Sequence, residues 1–450
     1  MARHAVLMLL VVVMSWNWGG AAAQVFRPPW NGTFPMGPGG GGAGSVGGGG
    51  AAAAASVPAM FVFGDSLTDN GNNNDMTSLA KANYLPYGID FAGGPTGRFS
   101  NGYTMVDEIA ELLGLPLLPS HNDATGDAAL HGVNYASAAA GILDNTGQNF
   151  VGRSPFNQQI KNFEATLQQI SGKLGGGAGK LAPSLARSIF YVGMGSNDYL
   201  NNYLMPNYNT RNEYNGDQYS TLLVQQFVIA GVGSMACIPN MRARNPANMC
   251  SPDVDDLIIP FNSKVKSMVN TLNVNLPRAK FIFVDTYAMI SERLYNLGAR
   301  RFVIAGVGSM ACIPNMRARN PANMCSPDVD DLIIPFNSKV KSMVNTLNVN
   351  LPRAKFIFVD TYAMISEVLR NPWSYGFSVV DRGCCGIGRN RGMITCLPFQ
   401  RPCLNRNTYI FWDAFHPTER VNILLGKAAY SGGADLVHPM NIQQLAAWQP

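Results

Sequence analysis

The strongest restriction on this fold is a repetition without divergence: Phe227 to Glu292 returns, residue for residue, as Phe302 to Glu367. Repeats that stack into solenoids diverge and occur in series. Two identical copies instead indicate a recent duplication within the gene, or an error in assembling its sequence. Each copy carries the same two strand patterns, Phe227 to Val232 and Lys280 to Val284 in the first. Both sets cannot occupy one place in a five-stranded layer, so one copy is surplus. The second is expected to be the structural one. It follows Arg293 to Arg301, where Leu294 and Leu297 mark a helix face and Gly298 a cap, and it runs straight on to the C-terminal segment. The first copy enters abruptly from Leu222 to Phe227 with no turn signal. Residues 227 to 292 are therefore expected as an insertion, packed peripherally or poorly ordered.

Outside the repeat, short apolar runs alternate with helical patterns: Met60 to Phe63, Gly132 to Ala136, Ser188 to Gly193, Arg301 to Val307 and Ala354 to Val359. This alternation predicts an α/β fold with a central parallel sheet flanked by helices, in one domain spanning 58–450. The hydrophobic content, 47%, is enough to fill such a core. Gly175 to Lys180 looks like a phosphate loop, but Leu174 and Leu181 stand where the motif needs Gly and Ser or Thr. It reads as a flexible surface connection.

The edges of the chain are of another kind. Residues 1–23 run from Arg3 and His4 through an apolar stretch, Ala5 to Met14, to Ala21, Ala22 and Ala23. That order predicts a secretory signal peptide too short to span a bilayer, hence an exported protein with no stable membrane insertion. Residues 24–57 are rich in Gly, Ala and Pro and predict a disordered tether, which carries the sequon Asn31-Gly32-Thr33. The formal charge of +5 is spread through the chain, so no nucleic-acid footprint stands out. Eight cysteines in an exported chain favour disulfides over zinc, since no paired histidines stand at ligand spacing. Cys312 with Cys325, and a cluster among Cys384, Cys385, Cys396 and Cys403, are the expected bridges.

Chemistry concentrates where strands end. Met60 to Leu67 delivers Ser66 at the C-terminal end of a strand, the place where open α/β sheets form their sites. Alone, this is weak evidence, because most serines after strands are turn formers or caps. Asn134 to Gly141 closes a second strand on small residues, and Gly195-Ser196-Asn197-Asp198 closes a third; small residues let backbone approach a ligand. Trp412-Asp413-Ala414-Phe415-His416-Pro417 sets a carboxylate three residues before a histidine, ahead of a helix through Val421, Leu424 and Leu425 whose first turn suits Pro417. His121 and His131 lack that context and read as surface or capping residues.

These four ordered blocks, Gly64-Asp65-Ser66-Leu67, Gly141, Gly195-Ser196-Asn197-Asp198 and Asp413-Ala414-Phe415-His416, resemble those of plant GDSL esterase/lipases in the SGNH hydrolase superfamily. The resemblance implies a three-layer α/β/α sandwich, flavodoxin-like, acting on a small-molecule or polymer-linked carboxylic ester without metal or organic cofactor. It implies Ser66 as nucleophile, His416 as base and Asp413 as its orienting carboxylate. The oxyanion hole it implies is made by the N–H groups of Ser66 and Gly141 and the side chain of Asn197. Asp65 and Asp198 read as loop supports. Trp412, Phe415 and Tyr199, which flank the blocks, are candidates for contact with an acyl group or for core packing. A second reading is a catalytically impaired wall-binding or interaction protein, its hydrolase frame disabled by the duplicated segment.

Overall fold

The computed structural model describes residues 57–174, 178–227, 290–351 and 353–450. Residues 1–23, with the expected signal peptide, nearly all of the expected tether at 24–57, and Cys237 and Cys250 lie outside them. So does almost all of the first copy, and with it the expected peripheral placement of that copy.

The five apolar runs are strands: β1 (Met60–Gly64), β2 (Gly132–Asn134), β3 (Ile189–Gly193), β4 (Arg301–Ala305) and β5 (Lys355–Val359). They pair in parallel in the order β2-β1-β3-β4-β5. Every residue of β1 and β4 is buried, the two-sided burial that a parallel sheet covered on both faces imposes. All of β4 after Arg301, and all of β5, belong to the second copy. Two short strands, β6 (Val379–Gly383) and β7 (Tyr409–Phe411), make a separate parallel pair. The five-stranded expectation is corrected at one edge, where β8 (Val437–His438) pairs antiparallel with β5 as a sixth strand. Two residues are too few to leave a periodic signal. At the opposite edge β2 borders the stretch before His121: Asn134 donates its N–H to Pro119 O at 2.9 Å, and His121 returns one to Asn134 O at 2.9 Å.

Register decides which side chains share a face. Phe61, Phe190, Phe302 and Phe356 stand opposite one another across β1, β3, β4 and β5, with successive ring centroids 5.2, 5.8 and 4.2 Å apart. Phe163 of α2 (Phe156–Lys173) packs edge-on against Phe61 and Phe190. The next residue along β3, Tyr191, points to the other face and reaches Met105 Sδ on α1 (Met105–Leu112). The chain continues through α3 (Ala178–Arg187), α4 (Gly216–Phe227), α5 (Ile290–Asn296), α6 (Pro327–Asn350), α7 (Thr361–Arg370), α8 (Glu419–Ser431) and α9 (Ile442–Ala447). α2 and α6 lie against the sheet, while α8 packs along α1, giving helix, sheet and helix layers. Lys180 is on α3, so that part of the phosphate-loop look-alike is helix; 175–177 lie outside the described residues.

α1 begins at a full capping box: Thr104 Oγ1 accepts from Asp107 N–H, and the Asp107 carboxylate accepts from Thr104 N–H at 2.8 Å. Arg98 grips the same carboxylate with two bonds of 2.8 Å, both side chains buried. Disulfides join Cys312 to Cys325, Cys384 to Cys403 and Cys385 to Cys396.

Candidate active site

Ser66 lies in the turn immediately after β1. Asp65 builds that turn: its carbonyl accepts from Thr68 N–H at 3.1 Å and Asp69 N–H at 2.9 Å, and its Oδ1 from Leu67 N–H at 3.0 Å. Asp69 then ties the turn to the loop after β2. It accepts from Gly71 and Asn72 N–H at 2.8 Å each and from Ala138 N–H at 2.9 Å. Asn134 Nδ2 donates back to Thr68 O at 2.6 Å. Burial pushes the Asp69 carboxyl up to about 6, against the N–H bonds and Arg98 that favour its charge. Burial also pushes Asp65 up to about 7, and its Oδ2 has no hydrogen-bond partner.

The Asp413 to His416 stretch curls back on itself, because Trp412 N–H bonds to His416 O at 2.8 Å. Asp413 Oδ1 accepts from the N–H groups of Phe415 and His416, both at 2.9 Å. His416 Nδ1 stands 2.8 Å from the same oxygen, and its Nε2 stands 2.8 Å from Ser66 Oγ, across 350 residues of sequence. With the Asp413 side on Nδ1–H, the Nε2 lone pair faces the hydroxyl, the tautomer a general base needs. Phe99 lies 5.0 Å from the imidazole, ring centre to ring centre, and covers it. Tyr87 O–H donates to Asp413 Oδ2 at 2.6 Å. Burial alone would favour the neutral acid, but His416 and these hydrogen bonds hold the Asp413 carboxyl below the usual carboxylate range.

The third group of residues is arranged by Asp198. Fully buried, it accepts from Ile142 N–H at 2.8 Å, Leu143 N–H at 3.1 Å and Thr146 O–H at 2.7 Å, which fixes the peptides just after Gly141. A side chain on Gly141 would collide with Thr146 Cγ2 at 2.4 Å and Asp198 Oδ1 at 2.6 Å, so the close approach requires glycine there. Asn197 donates one Nδ2–H to Ala140 O at 2.9 Å, and its Oδ1 accepts from Asn201 at 2.6 Å. Its amide is thereby oriented with a second N–H to spare. Gly195, at φ +131°, makes the sharp exit from β3 that brings Asn197 beside that loop. Burial raises Asp198 to about 6 despite its N–H partners.

Ser66, His416 and Asn197 all line one cleft of about 220 Å³, whose walls include Met194, Val307, Ile313, Ile365 and Phe415. Of the flanking aromatics only Phe415 lines it; Trp412 and Tyr199 are completely buried, the first against Tyr87 and the second against Tyr219. His121 packs on Tyr135 beside a different crevice and His131 is exposed, so neither joins the site. Pro417 is corrected: α8 starts at Glu419, after Thr418, whose N–H and hydroxyl bond to Ile410 O and Tyr409 O and delay the first turn. Tyr87 carries no signal in the sequence: it lies 326 residues from its partner with no motif around it.

A hydroxyl, an imidazole and a carboxylate stand in line at the C-terminal edge of a mostly parallel, helix-covered sheet, the place where α/β sandwiches form their sites. The sequence matches the family of GDSL-like lipase/acylhydrolases over residues 60–295 and again over 286–429, the double match falling across the duplication. One GDSL esterase/lipase of Arabidopsis thaliana is 52% identical over 391 residues, 87% of this chain and 86% of that protein. Two others from the same plant are each 42% identical over 394 residues, covering 87% and 86% of this chain and 92% and 89% of theirs. The chain belongs to the GDSL-like lipase/acylhydrolase family, and its enzyme class is carboxylic ester hydrolase.

Proposed function

We propose that the protein is a secreted serine esterase/lipase that cleaves carboxylic esters through an acyl-serine intermediate. The observation that carries the reading is the unbroken line from Ser66 Oγ to His416 Nε2, 2.8 Å, and from His416 Nδ1 to Asp413, 2.8 Å. Ser66 Oγ attacks the ester carbonyl carbon while His416 Nε2 takes its proton. The tetrahedral oxyanion accepts hydrogen bonds from the N–H groups of Ser66 and Gly141 and from Asn197 Nδ2; one such donor contributes about 3–4 kcal/mol. Collapse breaks the bond to the alkoxide, which leaves with the proton from the imidazolium. Water then repeats the sequence on the acyl-serine and restores the hydroxyl. Asp413, held anionic, keeps the imidazole in one tautomer and stabilises its cation. The apolar walls of the cleft suit an acyl chain. The leader pattern at 1–23 and three disulfides support export.

A fluorophosphonate should label Ser66 in the intact protein, read by peptide mass mapping. Ser66→Ala should lose the label and lower short-chain nitrophenyl ester turnover by roughly 10⁴-fold or more. Folded protein that hydrolyses the ester with Ser66 unlabelled would reject the mechanism. Removing residues 227–292 should leave turnover intact or raise it; a fall to background would show that the first copy is needed and not surplus.

A further inference from the structure

From Arg382 to Arg406 the chain holds five arginines and no acidic residue. Arg382 and Arg406 pair with Asp381 and Asp90. The others keep their charge: Arg389 donates to the carbonyls of Asn320 and Pro321 at 2.9 and 3.0 Å, Arg391 bonds to the Cys384 carbonyl, and Arg401 is exposed with no carboxylate partner among the described residues. The same segment leaves Met393, Ile394, Leu397 and Phe399 in solvent, Phe399 91% exposed. Elsewhere exposed large apolar residues such as Val151, Val349 and Trp373 are scattered singly, apart from Leu79, Leu85 and Ile89, which lie close together in sequence.

Three features keep these side chains from folding inward. The disulfides Cys384–Cys403 and Cys385–Cys396 close the segment on itself. Tyr84 O–H bonds to Cys396 O at 2.9 Å, and Phe399 N–H bonds to Leu85 O at 3.0 Å. Phe399 itself is held at φ +61°, a left-handed conformation that a bulky residue adopts only under constraint. The segment also reaches the cleft, because Thr395, next to the exposed Ile394, lines it together with the exposed Leu67 and Leu79.

We propose that this stapled lobe seats the protein on an anionic bilayer surface, with Phe399 and Ile394 entering the acyl boundary and Arg389 and Arg401 on lipid phosphates. Exposed apolar side chains among uncompensated cations are the combination that such an interface recognises, whereas a polyanionic polysaccharide would use the cations and leave the apolar groups in water. The inference goes beyond the hydrolase reading and is tested by binding, so inactivity toward a soluble ester would leave it untouched.

The test is sedimentation of the full chain, as Ser66→Ala to prevent turnover, with vesicles of phosphatidylcholine alone or mixed with phosphatidylglycerol. Binding is expected to the mixed vesicles and to fall in high salt. Phe399→Ser should weaken it roughly tenfold and Arg401→Ala about fivefold. With Ser66 restored, both variants should turn over a soluble nitrophenyl ester as the parent does, showing that they fold. Absence of vesicle binding, or equal binding by Phe399→Ser, overturns the proposal. So does retention on polygalacturonate that ignores Phe399→Ser while vesicles bind nothing.

Discussion

Asp107 and Asp198 are both fully buried, yet the molecule keeps them there by opposite means. Asp107, at the start of α1, is gripped by Arg98, which together with the capping hydrogen bonds more than offsets burial and lowers its carboxyl. Asp198, beside the cleft, is held by N–H and O–H dipoles with no cation partner among the described residues, and burial leaves it raised to about 6. Asp69 at the Ser66 turn stands between the two, held mainly by N–H groups with a weaker pull from Arg98, and burial likewise raises it to about 6. The ion pair anchors scaffold. The dipole clamps set the directions of backbone N–H groups around the cleft without placing a cation there, and they do so at a cost in stability once the carboxylates ionise.

The contrast can be broken most forcefully at Arg98. Arg98→Met leaves Asp107 buried and unpaired, which should cost about 3–5 kcal/mol in urea unfolding, while the folded fraction keeps its turnover number. Asp198→Ala should invert that pattern. Freeing the peptides after Gly141 should lower kcat by roughly 10²-fold, with KM little changed and a smaller stability loss of about 1–3 kcal/mol. If Asp198→Ala harms stability alone, the two carboxylates do the same job and the distinction falls.

Acid titration sharpens the comparison. A carboxyl raised from 3.8 to about 6 binds its proton more tightly in the folded state, so its contribution is full below the ordinary value and is lost as pH rises toward 6, on the order of 3 kcal/mol. Asp107, lowered, behaves in reverse: its stabilisation is present above the ordinary value of 3.8 and is lost as pH falls through its folded value. Unfolding measured across this range should therefore show Asp198→Asn gaining on the parent protein as pH rises to about 6, and the deficit of Asp107→Asn shrinking as pH falls below 3.8. Parallel curves for the two variants would contradict the assignment. The smallest effect belongs to Asp413, which joins both devices, a histidine on one oxygen and Tyr87 on the other. Tyr87→Phe should lower kcat by about fivefold to tenfold, roughly 1–1.4 kcal/mol of barrier and so only part of the worth of one hydrogen bond to a charged group.

The five parallel strands and the four site blocks were legible because each is local: an apolar run followed by small residues states its own conformation. Ser66 and Asn197 follow β1 and β3, which the sheet order sets side by side, while Asp413 and His416 follow β7 of the separate pair. Tyr87 was not legible, since its partner is chosen by the path of the loop before Phe99 and not by any spacing. The pairing of Cys384 with Cys403 and Cys385 with Cys396 was equally hidden, because four nearby thiols permit three pairings and only the fold of the segment selects one. Nor could β8 be read, as its two residues become a strand only where β5 offers an edge.

That edge has a bearing on how the protein behaves when crowded. A long vacant flank of backbone donors and acceptors is a template on which a neighbouring molecule can add its own strand and grow a ribbon. Here β8 occupies part of one flank and the 119–121 stretch borders the other. Concentrated solutions should consequently stay free of thioflavin-positive fibres as long as the fold holds.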